Sequence, residues 1–184
     1  MDIIEKFREK KNQEIGLRIF FFDEEESGLK GSSAYAKEYG VKDMVGLINL
    51  ELVGIGDKFA LWPVDLSSSG DLLETFEHSA NSAKVETIRF DKIVTNTADH
   101  LSFRRAGLSD AFTITCISDK DIEVANRYYR AAEQGLDSTL LWDILAEAPV
   151  FENYHRPGDS YEKIKEKSIL MTSSVIMDTI KNME

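Results

Sequence analysis

Cysteine is almost absent: Cys116 stands alone in 184 residues. A disulfide framework, and with it the small stapled scaffold, is excluded. Cys116 falls in the apolar run Phe-Thr-Ile-Thr-Cys-Ile and reads as a buried small hydrophobe rather than a nucleophile. Basic residues are also short, 22 Lys and Arg against 33 Asp and Glu, for a net charge of −11. That balance disfavours nucleic acid and anionic membrane as partners. It suits a cation-binding site, although acidity alone mostly serves solubility. No apolar run approaches the ~20 residues of a membrane span. The charged, amphipathic amino terminus does not read as a signal peptide. The compartment is otherwise unknown, and the cytoplasm is the expectation.

What is present suits one globular domain over residues 1–184, with 42% hydrophobic and 30% charged residues. Asp2 to about Glu14 reads as an amphipathic helix with Ile3, Ile4 and Phe7 on one face. Leu17–Phe22 is apolar enough for a strand buried on both faces. A helix over Ser32–Tyr39 ends at Gly40, and a second buried strand spans Val45–Val53. Phe59–Val64 and Glu86–Phe90 read as further strands, with a helix over Asp71–Ala83 between them that turns Leu72, Leu73 and Phe76 inward. Asp91–Thr97 reads as a loop, Asp99 as the cap of a short helix to Ala106, and Ala111–Ile117 as the last strand. Asp119–Glu147 is helical in two segments broken near Gly135. A long helix over Tyr161–Asn182 closes the chain, with Ile169, Ile176 and Ile180 on one side. This alternation predicts a layered, mixed α/β sheet with helices on both faces.

Chemistry concentrates in Phe21–Ser32, FFDEEESGLKGS, where four carboxylates, Asp23 to Glu26, follow an apolar run. Acids at a strand's carboxyl end sit where open α/β folds place their sites. They are costly there unless a metal or an arginine lies among them. Asp23 and Glu24 read as ordinary loop acids, or as groups that support the site from behind. Glu51 is a lone carboxylate in the apolar run Leu47–Val53, costly to bury without a partner, and on its own reads as a strand-end acid paired with a lysine or arginine. His155 lies between Tyr154 and Arg-Pro-Gly-Asp, Asp159 reads as a helix cap, and His78 reads as a surface residue.

The string E-E-S-G-L-K-G-S, Glu25–Ser32, resembles the E-E-x-G-L-x-G-S signature of the zinc aminopeptidases with two co-catalytic metals, the family of aminopeptidase Y and bacterial leucyl aminopeptidases. Three further blocks follow in the family's order: INLELVGIGD (Ile48–Asp57), ADHLSFRRAG (Ala98–Gly107) and NYHRPGDSYEKI (Asn153–Ile164). The resemblance implies a phosphorylase-like, zinc-exopeptidase fold and zinc-dependent release of amino-terminal residues from peptide or aminoacyl substrates. It implies Glu25 as general base and Glu26 and His155 as ligands of one zinc. Glu51, where the family has an aspartate, falls at a ligand of the second. Asp99, Tyr154 and His100 then support the site or the substrate, with Ala98 in place of the family's serine. The family's first half, with a His-x-Asp motif and a bridging aspartate, would lie before Met1. The resemblance thus covers the carboxy-terminal part of the family domain, with residues 119–148 as an inserted helical hairpin. The expectation is an impaired peptidase that forms a homo-oligomer. The alternatives are a non-catalytic relative and a one-zinc acyltransferase like glutaminyl cyclase.

Overall fold

The computed structural model describes residues 2–8, 15–64, 68–91 and 98–183. Seven helices are described: α1 Asp2–Arg8, α2 Lys30–Tyr39, α3 Asp71–Ser82, α4 His100–Arg105, α5 Asp119–Glu133, α6 Ser138–Leu145 and α7 Glu166–Asn182. The strands are β1 Leu47–Leu50, β2 Lys58–Trp62, β3 Thr87–Arg89 and β4 Ala111–Ile117. They form one mixed sheet in the order β1-β4-β2-β3. β1 is parallel to β4, β2 antiparallel to β4, and β3 parallel to β2.

β4 lies inside the sheet, and every one of its residues is buried. Alternation divides its side chains between two faces. Phe112, Ile114 and Cys116 join Phe59 and Leu61 of β2 on one face, packed against Leu72, Leu73 and Phe76 of α3 and Val175 and Ile176 of α7. On the other face Ile117 clusters with Ala60, Trp62 and Ala98, and Ile122 of α5 packs there. Helices therefore cover both faces, as the alternating pattern predicts. Cys116 is a buried thiol pushed up to about 11 by burial, and it behaves as core.

Several expectations are corrected. Leu17–Phe22 pairs with no strand among the described residues. It is also not buried on both faces: Phe20 and Phe22 turn inward onto Tyr35 and Phe103, while Phe21 is 87% exposed. Apolar composition reports burial of a segment but names no ladder partner. β1 has four residues rather than the nine of Val45–Val53, and Val45 and Leu50 are exposed. It is an edge strand, bonded only to β4 among the described strands, and the left-handed Leu52 (φ 53°) lies just beyond it. Tyr161–Lys163 is a separate 3-10 turn, so α7 begins at Glu166 and Asp159 does not cap it. The buried stripe of α7 runs through Ser168, Thr172, Val175, Ile176 and Thr179, which leaves Ile169 exposed and Ile180 half-buried. The rest of the first predicted helix, 9–14, and most of the 91–97 loop lie outside the described residues.

Candidate active site

The Glu25–Ser32 segment folds as a back-bonded turn into α2. Gly28 and Leu29 N–H groups donate to the Glu25 carbonyl at 3.0 and 2.8 Å, Lys30 to Glu24 at 3.2 Å, and Gly31 to Asp23 at 3.2 Å. The two glycines serve different needs. Gly28 takes φ 98°, which favours a residue without Cβ. At Gly31 a Cβ would lie 2.6 Å from the Asp23 carbonyl oxygen, so the turn closes only on glycine. Leu29, 2% exposed, anchors the turn in the interior. Asp23 accepts the Glu24 N–H at 2.8 Å and Glu24 pairs with Lys30, so both are loop acids as expected.

Glu26 meets His155 across 129 residues of sequence, Oε1 to Nε2 at 2.7 Å. The His155 ring stacks on Tyr154, centroids 3.9 Å apart and 17° from parallel. Glu51 follows β1, its N–H donating to the Ile114 carbonyl at 3.1 Å. Burial pushes the Glu51 carboxyl up to about 7, with the charges of Glu25, Glu26 and Asp99 adding to the shift. Its Oε2 is buried and has no partner among the described residues, so the expected alternative of a lysine or arginine pair is not observed. Burial also raises Glu25, reinforced by Glu26 and Asp99 and opposed by His155. The Tyr154 phenol is pushed up to about 12 by burial, then by Glu26, Glu51 and Glu25. Glu25, Glu26, Glu51, Asp99, Tyr154 and His155 thus share one electrostatic neighbourhood.

Asp99 is not the expected cap. It occupies the N-cap position of α4 but with helical angles (φ −57°, ψ −29°) and no capping bond. An N-cap side chain normally reaches the N2 or N3 N–H from an extended backbone. Asp99 Oδ1 is instead buried and unpartnered among the described residues. His100 belongs to the interior: Nδ1 lies 2.7 Å from Thr113 Oγ1 and the ring meets Trp62 edge-on at 5.5 Å. Burial, then Arg104, lowers it to about 4. His78 is exposed on α3.

Oxygen and imidazole donors of this kind suit zinc. Two orphaned carboxylate oxygens among further acids mark a place short of positive charge, so the residues fit a cation. Among the described residues the donors do not assemble into a group of three: Glu26 and His155 stand as a pair.

Other features of the site had no sequence signal. Glu24 (φ 54°), Leu52 (φ 53°) and His155 (φ 54°) are left-handed non-glycine residues flanking or within the acid cluster. Such strain concentrates at functional sites. Beside Glu51 a pocket opens between the sheet and α5–α6, walled by Trp62, Phe90, Ile117, Val124, Leu145 and Val150 among others. Asp121, buried in α5, closes a capping box with Ser118 and also accepts the Val150 N–H at 2.9 Å. It thereby ties α5 to the segment leading to Tyr154 and His155.

No curated protein matches the chain. The profile of Peptidase family M28 matches residues 1–180, which include the acid turn, Glu51, the Asp99 region and the His155 loop. A match of that extent, on a mixed α/β fold with these acids gathered at one place, means that the chain belongs to Peptidase family M28, the family of zinc co-catalytic aminopeptidases, and is a metallopeptidase-like hydrolase.

Proposed function

We propose that the chain is a zinc aminopeptidase in which Glu26 and His155 hold one ion, Glu51 contributes to a second position, and Glu25 is the general base. The observation that carries this reading is the Glu26–His155 pair at 2.7 Å beside the orphaned Glu51 oxygen. Zinc, when bound, supplies a Lewis acid that polarises a carbonyl and acidifies water. Glu25 takes a proton from the attacking water and returns it to the leaving amine. Its burial-raised pKa makes it a better proton acceptor than an ordinary carboxylate. Asp99 offers a buried carboxylate to the substrate's ammonium group, and Tyr154 orients His155 by stacking.

A catalytic zinc normally takes three protein ligands. With a pair of donors in place, we expect weak zinc binding and slow turnover by the isolated chain. Release of p-nitroaniline from leucyl p-nitroanilide, with zinc and after chelation, tests this. The expected result is slow, zinc-dependent release that Glu25→Gln lowers by ~10²–10⁴-fold. Zinc-saturated protein no faster than Glu25→Gln would overturn it. The two-donor pair favours a second reading, a non-catalytic relative, for which zinc raises the melting temperature without turnover. We propose in addition that the chain self-associates along the β1 edge, where Ile19, Phe21, Val45 and Leu50 are exposed.

A further inference from the structure

We propose that Ser102 is a positioning residue for the reaction: through a chain of hydroxyl groups it fixes α4 against the acid turn, and so sets the Asp99 carboxylate where a substrate's ammonium group is taken. The proposal rests on the aminopeptidase reading for the role of Asp99. Its geometry rests on α4 itself. That helix has only six residues, His100–Arg105. A helix so short has few internal bonds and takes its orientation from its neighbours. Nor does its own backbone fix Asp99, whose side chain makes no capping bond and whose Oδ1 is buried without a partner among the described residues. Asp99 nonetheless lies close enough to Glu25 and Glu51 for its charge to raise both carboxyls. A rotation of α4 would change both separations at once.

Two hydrogen-bonded ties remove that freedom. The buried Ser102 Oγ lies 2.9 Å from the Oγ atoms of both Ser32 and Ser33 of α2. Each hydroxyl carries one proton. Ser32 gives its proton to the Leu29 carbonyl at 3.3 Å, so Ser102 donates to Ser32 and Ser33 donates to Ser102. The chain therefore ends on Leu29, whose own N–H holds the Glu25 carbonyl at 2.8 Å. On the sheet side, His100 Nδ1 meets Thr113 Oγ1 at 2.7 Å, and Thr113 accepts from Asn49 Nδ2 at 3.0 Å. That tie joins α4 to β4 and to β1, two residues before Glu51. Phe103 also packs on Phe20, Phe22 and Tyr35. Ring contacts set the depth of α4 but tolerate rotation, whereas hydrogen bonds are directional. The serine chain is the tie that links the Asp99 helix to the turn bearing Glu25 and Glu26.

The test uses the full, zinc-saturated chain and reads leucinamide binding by calorimetry, beside zinc affinity by competition with a chelator. Ser102→Ala should weaken leucinamide about tenfold, the loss of one charge-assisted contact. Zinc affinity should stay within about twofold, because neither Glu26 nor His155 lies on α4. In an Asp99→Asn background Ser102→Ala should weaken leucinamide no further, since the contact it acts through is already gone. In turnover of leucyl p-nitroanilide the loss should fall on KM rather than kcat, because the ammonium contact is made in ground state and transition state alike. A residue that only held the fold would lower zinc affinity and kcat as well, and would add to Asp99→Asn. Ser32→Ala cuts the same chain from α2 and should give the same pattern, so it decides if Ser102→Ala does not fold. Unchanged leucinamide affinity in the folded serine variant or in Asp99→Asn, full additivity of the pair, or an equal loss of zinc affinity overturns the proposal and leaves the peptidase reading standing. Leucinamide that fails to bind the unaltered chain removes that reading, and the proposal with it.

Discussion

Glu51 and His100 are both buried titratable groups, and they pull stability in opposite directions with pH. His100 has its folded pKa lowered to about 4 from 6.5, so between those values the unfolded chain binds a proton that the folded chain refuses. Its contribution is complete above 6.5 and is lost as pH falls through about 4. Glu51 has its folded pKa raised to about 7 from 4.5, so its contribution is complete below 4.5 and is lost as pH rises through about 7. Each shift of about 2.5 pH units corresponds to ~3 kcal/mol. Between pH 4.5 and 6.5 the two slopes oppose each other. In zinc-free protein, Glu51→Gln should therefore gain on the wild type by up to ~3 kcal/mol as pH rises from 4.5 to 7 in urea unfolding, and His100→Gln should lose the opposite slope. A Glu51→Gln difference that stays constant across that range would show that the carboxylate is solvated rather than buried.

Among the elements, those read correctly from sequence are the ones whose signal is local. β4 is a continuous apolar run, buried as such, and the apolar period of α3 puts Leu72, Leu73 and Phe76 inward. Gly135, at φ 76°, breaks the helical stretch between α5 and α6 where expected. Elements misread are those decided by a neighbour. Leu17–Phe22 is apolar like β4, but being a strand depends on a ladder partner, which composition does not encode. Near the site, the motif strings that carry Glu25, Glu26 and His155 were legible, and the structure brings Glu26 and His155 into contact. The left-handed angles at Leu52 and His155 were not, since neither residue type favours them. Nor was the second bond of Asp121 to Val150, which spans 29 positions. That bond gives an element-scale expectation. Asp121→Ala removes the α5 capping box and orphans the Val150 N–H, for a combined loss of ~2–4 kcal/mol. Faster hydrogen exchange over Val150–His155 should accompany the loss. Denaturant unfolding within about 0.5 kcal/mol of wild type, with unchanged exchange in that segment, would mean the latch carries no energy.

At the scale of the whole molecule, apolar surface and charge work against each other. β1 is an edge strand with one described neighbour, and an open edge invites pairing with another chain. Exposed Ile19, Phe21, Val45 and Leu50 add apolar area around it, Phe21 at 87% exposure. Opposing this, a net charge of −11 makes two copies repel. Screening shortens that repulsion, with a Debye length of ~10 Å at 0.1 M salt falling to ~3 Å at 1 M, while apolar contact is left intact. Self-association should therefore strengthen with salt, the reverse of an assembly held by ion pairs. Light scattering should give at least twice the chain mass at high salt and a lower average mass at low salt. Phe21→Asp places a charge in the exposed apolar patch without touching the inward Phe20 and Phe22, and should return the chain to monomer at every salt concentration. A single-chain mass in high salt across a wide protein range would remove the β1 edge as an interface. An association that salt weakens would point to charged surfaces elsewhere on the molecule.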